Sequence, residues 1–120
     1  HQHVLLRLGE LIAFAECASS MCRRATRFAA GNLAEKTNRR FNATAMSAMA
    51  RIFAREAALK IAADGWRLVV GAGGVTDSEM AAAEARLKIG NINRAQVGLL
   101  ADMDYIADVL FDRVEKAAAV

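Results

Sequence analysis

A glycine-rich stretch comes closest to a site for chemistry in this sequence. Arg67-Leu-Val-Val is followed by Gly71-Ala-Gly-Gly74, the order in which a strand leads into a dinucleotide-binding turn. That turn requires the pattern G-x-G-x-x-G, but Thr76 stands at the third glycine position, and no Gly-Lys-Ser/Thr follows to make a P-loop. The residues before the glycines also continue a helical pattern. The spacing therefore predicts a plain loop between helices, with no assigned role.

Histidines and cysteines are too few and too poorly spaced for catalysis or metal binding. His1 and His3 are the only histidines, so no Ser-His or Cys-His pair can be drawn in a folded core. Cys17 and Cys22 are five residues apart, which places them on different faces of a helix. We predict two buried, unpaired thiols in a reducing compartment. No catalytic, cofactor-binding or metal-binding residue is assigned.

Acidic residues near the end of the chain recur at helical spacing. Asp104, Asp108 and Asp112 follow one another every four residues, which places them on one helix face. Such a row could hold a cation, but a solvated acidic face that pairs with arginines of another helix is the commoner arrangement. We therefore predict an acidic face and no metal site.

Basic residues are concentrated in the first half of the chain. Residues 1–60 contain ten Lys or Arg and four Asp or Glu, whereas residues 61–120 contain six and nine, within a net charge of +3. This pattern predicts basic and acidic helices side by side. A nucleic-acid-binding surface is the alternative, and its candidate residues are Arg23, Arg24, Arg27, Lys36, Arg39 and Arg40. Only Phe41 is near enough to the last three to stack on a base.

Amphipathic helices must position all of these residues. The longest segment, Asn42 to Val70, has apolar residues at helical spacing and requires other helices to cover its apolar stripe. Three further helical segments are predicted at Val4–Ala30, Asp77–Ile89 and Asn93–Lys116. Short connections between them predict an all-α fold, an antiparallel bundle of three to four helices. The 120 residues suffice for one domain.

The ends of these helices are predicted from capping residues. Thr76 with Glu79 has the capping-box spacing for the third helix. The other expected end residues are Gly31 after the first helix, Asn42 or Thr44 before the second, Gly90 after the third and Asn93 before the fourth. The apolar side of the fourth helix is expected to face the core, with Val97, Leu100, Met103, Ile106, Ala107, Leu110 and Val114.

The overall apolar content points to a surface that another protein region covers. Hydrophobic residues make up 55% of the chain and mean hydropathy is +0.18, which favours docking of some apolar surface outside the chain. No apolar run approaches the roughly 18 residues of a membrane span, and no signal peptide opens the sequence. We therefore expect a cytoplasmic location, and a piece of a longer protein because the chain begins almost inside a helical pattern.

Three stretches of this helical pattern resemble a known family. They are Gln2–Ile12 with its continuation to Arg23-Arg24-Ala25, then Ala50-Arg-Ile-Phe-Ala-Arg-Glu-Ala-Ala58, and finally Arg94 with Leu100-Ala-Asp102 and Ile106-Ala-Asp108. In this order they resemble the C-terminal helical extension of acyl-CoA dehydrogenases of the very-long-chain type and related bacterial proteins. The resemblance covers nearly the whole chain, except that the Gly71–Gly74 loop has no counterpart in it.

The resemblance implies a parent enzyme that uses FAD to oxidise an acyl-CoA to a 2-enoyl-CoA. The catalytic glutamate and the flavin contacts of that family lie upstream, so no residue of this chain inherits either role. The extension would pack on the catalytic region of its own chain, support a homo-oligomer and, in some members, aid contact with a membrane surface. A free-standing helical interaction or nucleic-acid-binding module is the alternative. An enzyme confined to these residues is a third hypothesis, and we expect no dehydrogenation by them alone.

Overall fold

The computed structural model describes residues 2–32 and 41–114, and their regular structure is entirely helical. The helices are α1 (Gln2–Ala29), α2 (Ala43–Gly71), α3 (Asp77–Leu87), α4 (Ile89–Ala95) and α5 (Leu99–Leu110). Four of the five have at least 11 residues, and α4 has 7. The predicted all-α fold with three to four helices is confirmed. Among the described residues, no helix has the length and hydropathy needed to cross a membrane.

Contacts along the chain define two compact units. The first unit comprises His1–Cys17 and Arg55–Val97, and the second comprises Ala18–Ala54 and Gly98–Val120. Helices α1 and α2 contribute residues to each unit, whereas α3 and α4 belong to the first and α5 to the second.

Alanine, cysteine and methionine side chains form the buried cluster of the second unit. Cys22 on α1 approaches α2 with its Sγ 4.0 Å from the carbonyl oxygen of Ala50. The buried cluster around this contact is Ala25, Met46 and Ala50, with Met21, Cys22 and Met49 packed against it. Later residues of α1 thus lie beside earlier residues of α2, so the two helices are antiparallel in this unit.

Alanine dominates the buried residues of the described chain. Nine hydrophobic residues are buried, and six of them are alanines: Leu11, Ala25, Ala45, Met46, Ala48, Ala50, Ala57, Ala62 and Val109. No polar or charged residue in the described ranges is buried. Because alanine is small, helices that meet through it approach closely, but each alanine buries little apolar area.

Many large apolar side chains lie on the surface, contrary to the sequence expectation. Thirteen in the described ranges are at least 40% exposed: Val4, Leu5, Leu6, Leu8, Ile12, Leu59, Val69, Ile89, Val97, Leu100, Leu110, Phe111 and Val114. Several share the helix faces predicted from periodicity, but no other described helix covers them. The predicted apolar faces are therefore buried only in part: Leu11, Ala25, Met46 and Ala62 are buried on them, whereas residues such as Leu5 and Leu8 are exposed.

The rotation of α5 differs from the prediction for a specific reason. Asp102 and Val109 share one face of α5, and Val109 is fully buried. Arg51 of α2 pairs with Asp102 through two hydrogen bonds, which holds this face inward within the second unit. Leu100 and Leu110 consequently face outward. The predicted core side is thus correct for Met103, Ile106 and Ala107, which are half-buried, and wrong for Leu100 and Leu110.

Two helix ends were predicted correctly. The carboxamide of Asn42 accepts a hydrogen bond from the backbone N–H of Ala45 at 2.8 Å, which caps the start of α2. Gly31 (φ +75°) follows the end of α1. Its N–H bonds to the carbonyl of Phe28 and the N–H of Asn32 bonds to that of Arg27, the Schellman arrangement that favours glycine.

The helix boundaries in the last third of the chain differ from the prediction. Lys88 ends α3 in the left-handed conformation (φ 50°) and α4 begins at once, so Gly90 lies inside a helix and does not end one. Asn93 likewise lies within α4 and is not an N-cap. Gly98 (φ 89°) then separates α4 from α5, because the left-handed conformation interrupts helical geometry and suits glycine. The predicted single fourth helix is therefore two helices.

Lys88 provides a test of these boundaries. A left-handed conformation costs a residue with a side chain roughly 1 kcal/mol relative to glycine. We expect Lys88→Gly to raise the free energy of unfolding by about 0.5–1 kcal/mol, and Lys88→Val to lower it. Urea denaturation followed by circular dichroism measures both. If Lys88→Gly destabilised the chain as an exposed mid-helix glycine does, α3 and α4 would be one continuous helix.

Candidate functional site

The glycine-rich stretch is a loop between two helices. Helix α2 continues through Arg67-Leu-Val-Val to Gly71, and α3 begins at Asp77. Gly73 and Gly74 have positive φ angles of 79° and 76°. A dinucleotide-binding turn follows a strand, whereas this loop follows a helix. The predicted interhelical loop is confirmed.

A reciprocal cap closes this loop. The hydroxyl of Thr76 accepts a bond from the N–H of Glu79 at 3.2 Å, while the carboxylate of Glu79 accepts from the N–H of Thr76 at 2.9 Å. This is the predicted capping box. The backbone N–H of Thr76, followed by its hydroxyl, lowers the pKa of Glu79 below its usual value, because both groups donate to the ionised carboxylate.

The other candidates for chemistry are dispersed. Cys17 is exposed, Cys22 is half-buried and both thiols are free. The prediction that both thiols are unpaired is confirmed. The predicted burial of Cys17 is wrong, since only Cys22 faces α2. His3 is exposed on α1, and His1 lies outside the described residues. Among the residues described, no group of three or more His, Cys, Asp or Glu could hold a metal ion.

The predicted row of aspartates does not form one helix face. Helix α5 ends at Leu110, and Asp112 follows it in the left-handed conformation (φ 58°). The N–H of Asp112 bonds to the carbonyl of Val109, and the N–H of Arg113 to that of Asp108, which closes the helix as a Schellman motif. Asp108 pairs with Arg113 at 2.8 Å. The prediction failed because the helix ends one turn early.

Three of the six basic candidates lie in the described ranges. Arg23, Arg24 and Arg27 are exposed on the last turns of α1. Lys36, Arg39 and Arg40 lie outside the described residues. The structure therefore describes three of the six candidates.

A bidentate ion pair links α2 to α5 in the second unit. Arg51 donates from Nε and Nη2 to the two carboxylate oxygens of Asp102 at 2.9 and 2.7 Å. The hydrogen bond with Asp102 raises the pKa of Arg51. Both residues belong to stretches that carry the family resemblance, so those stretches contribute to packing. Sequence reasoning predicted that aspartates of the last helix pair with arginines, but not this pair.

A second polar link lies in the first unit. Arg55 donates from Nε to the carbonyl of Ala95 at 2.7 Å and from Nη2 to that of Val97 at 3.0 Å. The side-chain amide of Gln96 donates in return to the carbonyl of Arg55 at 3.3 Å. These bonds hold the turn after α4 on α2. Nothing in the local sequence signals them, because they join residues about 40 positions apart.

A small charge network lies between α1 and α2 of the first unit. Lys60 pairs with Asp64 at 3.0 Å and with Glu10 at 3.4 Å. Its ammonium also lies 5.2 Å from the ring centre of Phe14, within cation–π range. The hydrogen bond with Asp64 raises the pKa of Lys60, and the same bond lowers the pKa of Asp64. These groups are solvent-accessible and neutralise one another, so they form a structural network.

The first unit contains an apolar groove. It has a volume of about 510 Å³ and lies between α1, α2 and α3. Representative lining residues are Leu8, Ile12, Trp66, Val69, Ala83 and Arg86. Leu8, Ile12 and Val69 are among the exposed apolar residues. The groove offers binding surface and no reactive group.

No protein-family model matches this chain, and no curated protein or solved structure does either. What the chain does is therefore inferred from its own residues and from the resemblance stated above. The described residues offer apolar surface, structural polar links and capped helix ends.

The link at Arg55 can be tested by substitution. Arg55→Met keeps the length of the side chain but leaves two carbonyl oxygens without their donor. We expect the free energy of unfolding to fall by about 1.5 kcal/mol. Arg23→Met, at an exposed arginine on α1, is the matched control and is expected to change it by less than about 0.5 kcal/mol. Equal effects of the two substitutions would mean that Arg55 stabilises nothing.

The capping box makes a pH prediction. Because the folded pKa of Glu79 is lowered from 4.5, its stabilising contribution is complete above pH 4.5 and disappears as the pH falls through the folded pKa. We expect the melting temperature of the wild-type chain to exceed that of Glu79→Gln at neutral pH, and the gap to narrow below about pH 4.5. Asp64 titrates in both proteins, so it cancels in the comparison. A gap independent of pH would contradict the lowered pKa.

Proposed function

We propose that this chain is a non-catalytic helical packing and assembly domain of a longer flavin-dependent acyl-CoA dehydrogenase. Its partner would be the catalytic region of its own parent chain, within a homo-oligomer in the cytoplasm. FAD and the acyl-CoA would bind to the parent upstream. Contact with a membrane surface remains part of the proposal, as the resemblance implies for some members of the family.

One observation supports this proposal above all: large apolar side chains lie outside and alanines lie inside. Val97, Leu100 and Phe111 are each more than 70% exposed, whereas six of the nine buried residues are alanines. A monomer normally places large apolar residues inside. A domain that docks on a neighbour exposes them until the neighbour covers them.

The magnitudes favour docking over an independent existence. Full burial of one exposed Leu or Phe contributes roughly 1.5–3 kcal/mol. Three such residues would contribute about 5 kcal/mol or more, comparable with the whole stability of a small domain. A core built from alanine supplies far less per residue, so a covering partner would provide a large share of the stability.

The polar links are consistent with a scaffold. Arg51 and Asp102 join two of the stretches that resemble the family extension, and Arg55 lies in the central one. Their partners are carbonyl or carboxylate oxygens of the chain itself. Residues that resemble the family therefore maintain helix packing, which is the role expected of a non-catalytic extension.

The proposal is tested on the longer protein and on its two parts. We expect the full-length product to show the visible absorbance of bound flavin, and its upstream region to bind this chain when the two are mixed. Leu100→Ser with Phe111→Ser, or Leu5→Ser with Leu6→Ser, should weaken this association at least tenfold, since two large side chains lose their burial. Glu84→Ser, at an exposed polar position of α3, is the control.

Two outcomes would contradict the proposal. A full-length protein without the visible absorbance of flavin would contradict the assignment to a flavoenzyme. An upstream region that does not bind this chain would contradict the packing role. The alternative module predicts instead that the chain alone binds DNA with an affinity that falls steeply with salt. Exposed Arg23, Arg24 and Arg27 would then be the phosphate contacts, and their replacement by glutamine would reduce the salt dependence.

A further inference from the structure

The groove of the first unit combines an apolar lining with a positive charge at one place. Leu8 and Ile12 of α1, Trp66 and Val69 of α2, and Ala83 of α3 contribute apolar surface. Its volume of about 510 Å³ lies within the range of roughly 300–1,000 Å³ typical of small-molecule sites. The surface is therefore large enough for a ligand with a chain of carbon atoms.

Arg86 is the only charged residue in the groove lining. In the described ranges it forms no ion pair or hydrogen bond with another side chain, so its guanidinium can receive a ligand. A neighbouring depression shares Val69, Ala83 and Arg86 and also contains Glu79. The carboxylate of Glu79 is already engaged by the N–H and hydroxyl of Thr76. Glu79 keeps its negative charge, but the groove lining itself contains Arg86 and not Glu79, so the charged group within the groove is the guanidinium of Arg86.

We propose that this groove binds a single-chain anionic amphiphile such as a fatty acid. The alkyl chain lies against Leu8, Ile12 and Val69, and the carboxylate binds Arg86. An alkyl chain has no hydrogen-bonding groups, so it can lie against an apolar lining without leaving a polar group unpaired. The single polar residue of the lining is then available for the carboxylate. An extended peptide would leave backbone groups unpaired against the same lining. The inference does not depend on the proposed assembly function, whose variants lie at other residues.

Two residues make the groove unusually accessible to experiment. Trp66 lines the groove and an adjoining depression and is the only tryptophan of the chain, so its fluorescence reports on this region, and variants of the groove identify the site. Gly65 also lines the groove, and a Cβ added there meets nothing within 4 Å. The Cβ of Gly65→Leu therefore enters open space and its side chain occupies part of the groove, and leucine favours the helix more than glycine does.

The experiment is a fluorescence titration of this chain with brominated dodecanoate, kept below its aggregation concentration. We expect saturable quenching of Trp66. Gly65→Leu should weaken binding at least tenfold while circular dichroism shows the same helicity. Arg86→Gln should weaken dodecanoate binding by about fivefold, as expected for an exposed ion pair, and leave brominated dodecanol unchanged. Arg23→Gln, which removes an exposed arginine on α1 in the second unit, is the matched control and should change neither.

Four results would overturn the proposal. Quenching that rises linearly without saturation would mean that no site exists. Unchanged dodecanoate affinity in Gly65→Leu would mean that the ligand does not bind in the groove. Equal affinities in Arg86→Gln and Arg23→Gln would mean that Arg86 does not bind the carboxylate. A blue shift of Trp66 emission that appears on concentrating the ligand-free chain, and that Gly65→Leu abolishes, would mean that a second copy occupies the groove.

Discussion

The small size of its buried residues is the constraint on which this structure depends. Alanine allows helices to approach closely, but burial of its one methyl group contributes little free energy compared with leucine or phenylalanine. Around Ala25 and Ala50, α1 and α2 pack through alanine, cysteine and methionine side chains, without a leucine, isoleucine or aromatic residue in the cluster. The larger apolar residues consequently remain outside, at positions such as Leu100 and Phe111. These exposed residues add little to the stability of the described fold, and in the proposed function a partner surface would cover them.

Arginine side chains compensate in part for this modest core. Arg51 binds the carboxylate of Asp102 in the second unit, and Arg55 binds the carbonyl groups of Ala95 and Val97 in the first. Each link attaches a later segment to α2 through groups that charge strengthens. They determine which face of a helix turns inward, even where apolar periodicity predicts a different face. Polar links of this kind suit a domain whose apolar faces are reserved for a partner.

The sequence predicted local structure better than it predicted long-range contacts. The cap at Asn42, the end at Gly31 and the Thr76–Glu79 box depend on residues within a few positions of one another, and each was predicted. The break between α3 and α4 was predicted at Gly90 and lies at Lys88, because Lys88 takes a left-handed conformation that its residue type does not indicate. The outward rotation of α5 was missed because Arg51 and Asp102 are 51 positions apart. The groove was missed for the same reason, since three helices contribute to it. The interpretation of apolar stripes as core residues failed where the described helices leave the stripe exposed.

The direct test of this view is hydroxyl-radical footprinting of the chain alone and of the longer protein that contains it. Labelling measures the exposure of individual side chains, so Leu5, Leu100 and Phe111 report on the outer apolar surface and Val109 reports on the interior. We predict strong labelling of at least one of the first three in the isolated chain and its protection in the longer protein, with Val109 protected in both. Equal labelling of all three in the two proteins would show that nothing covers these faces, and would contradict a docking domain.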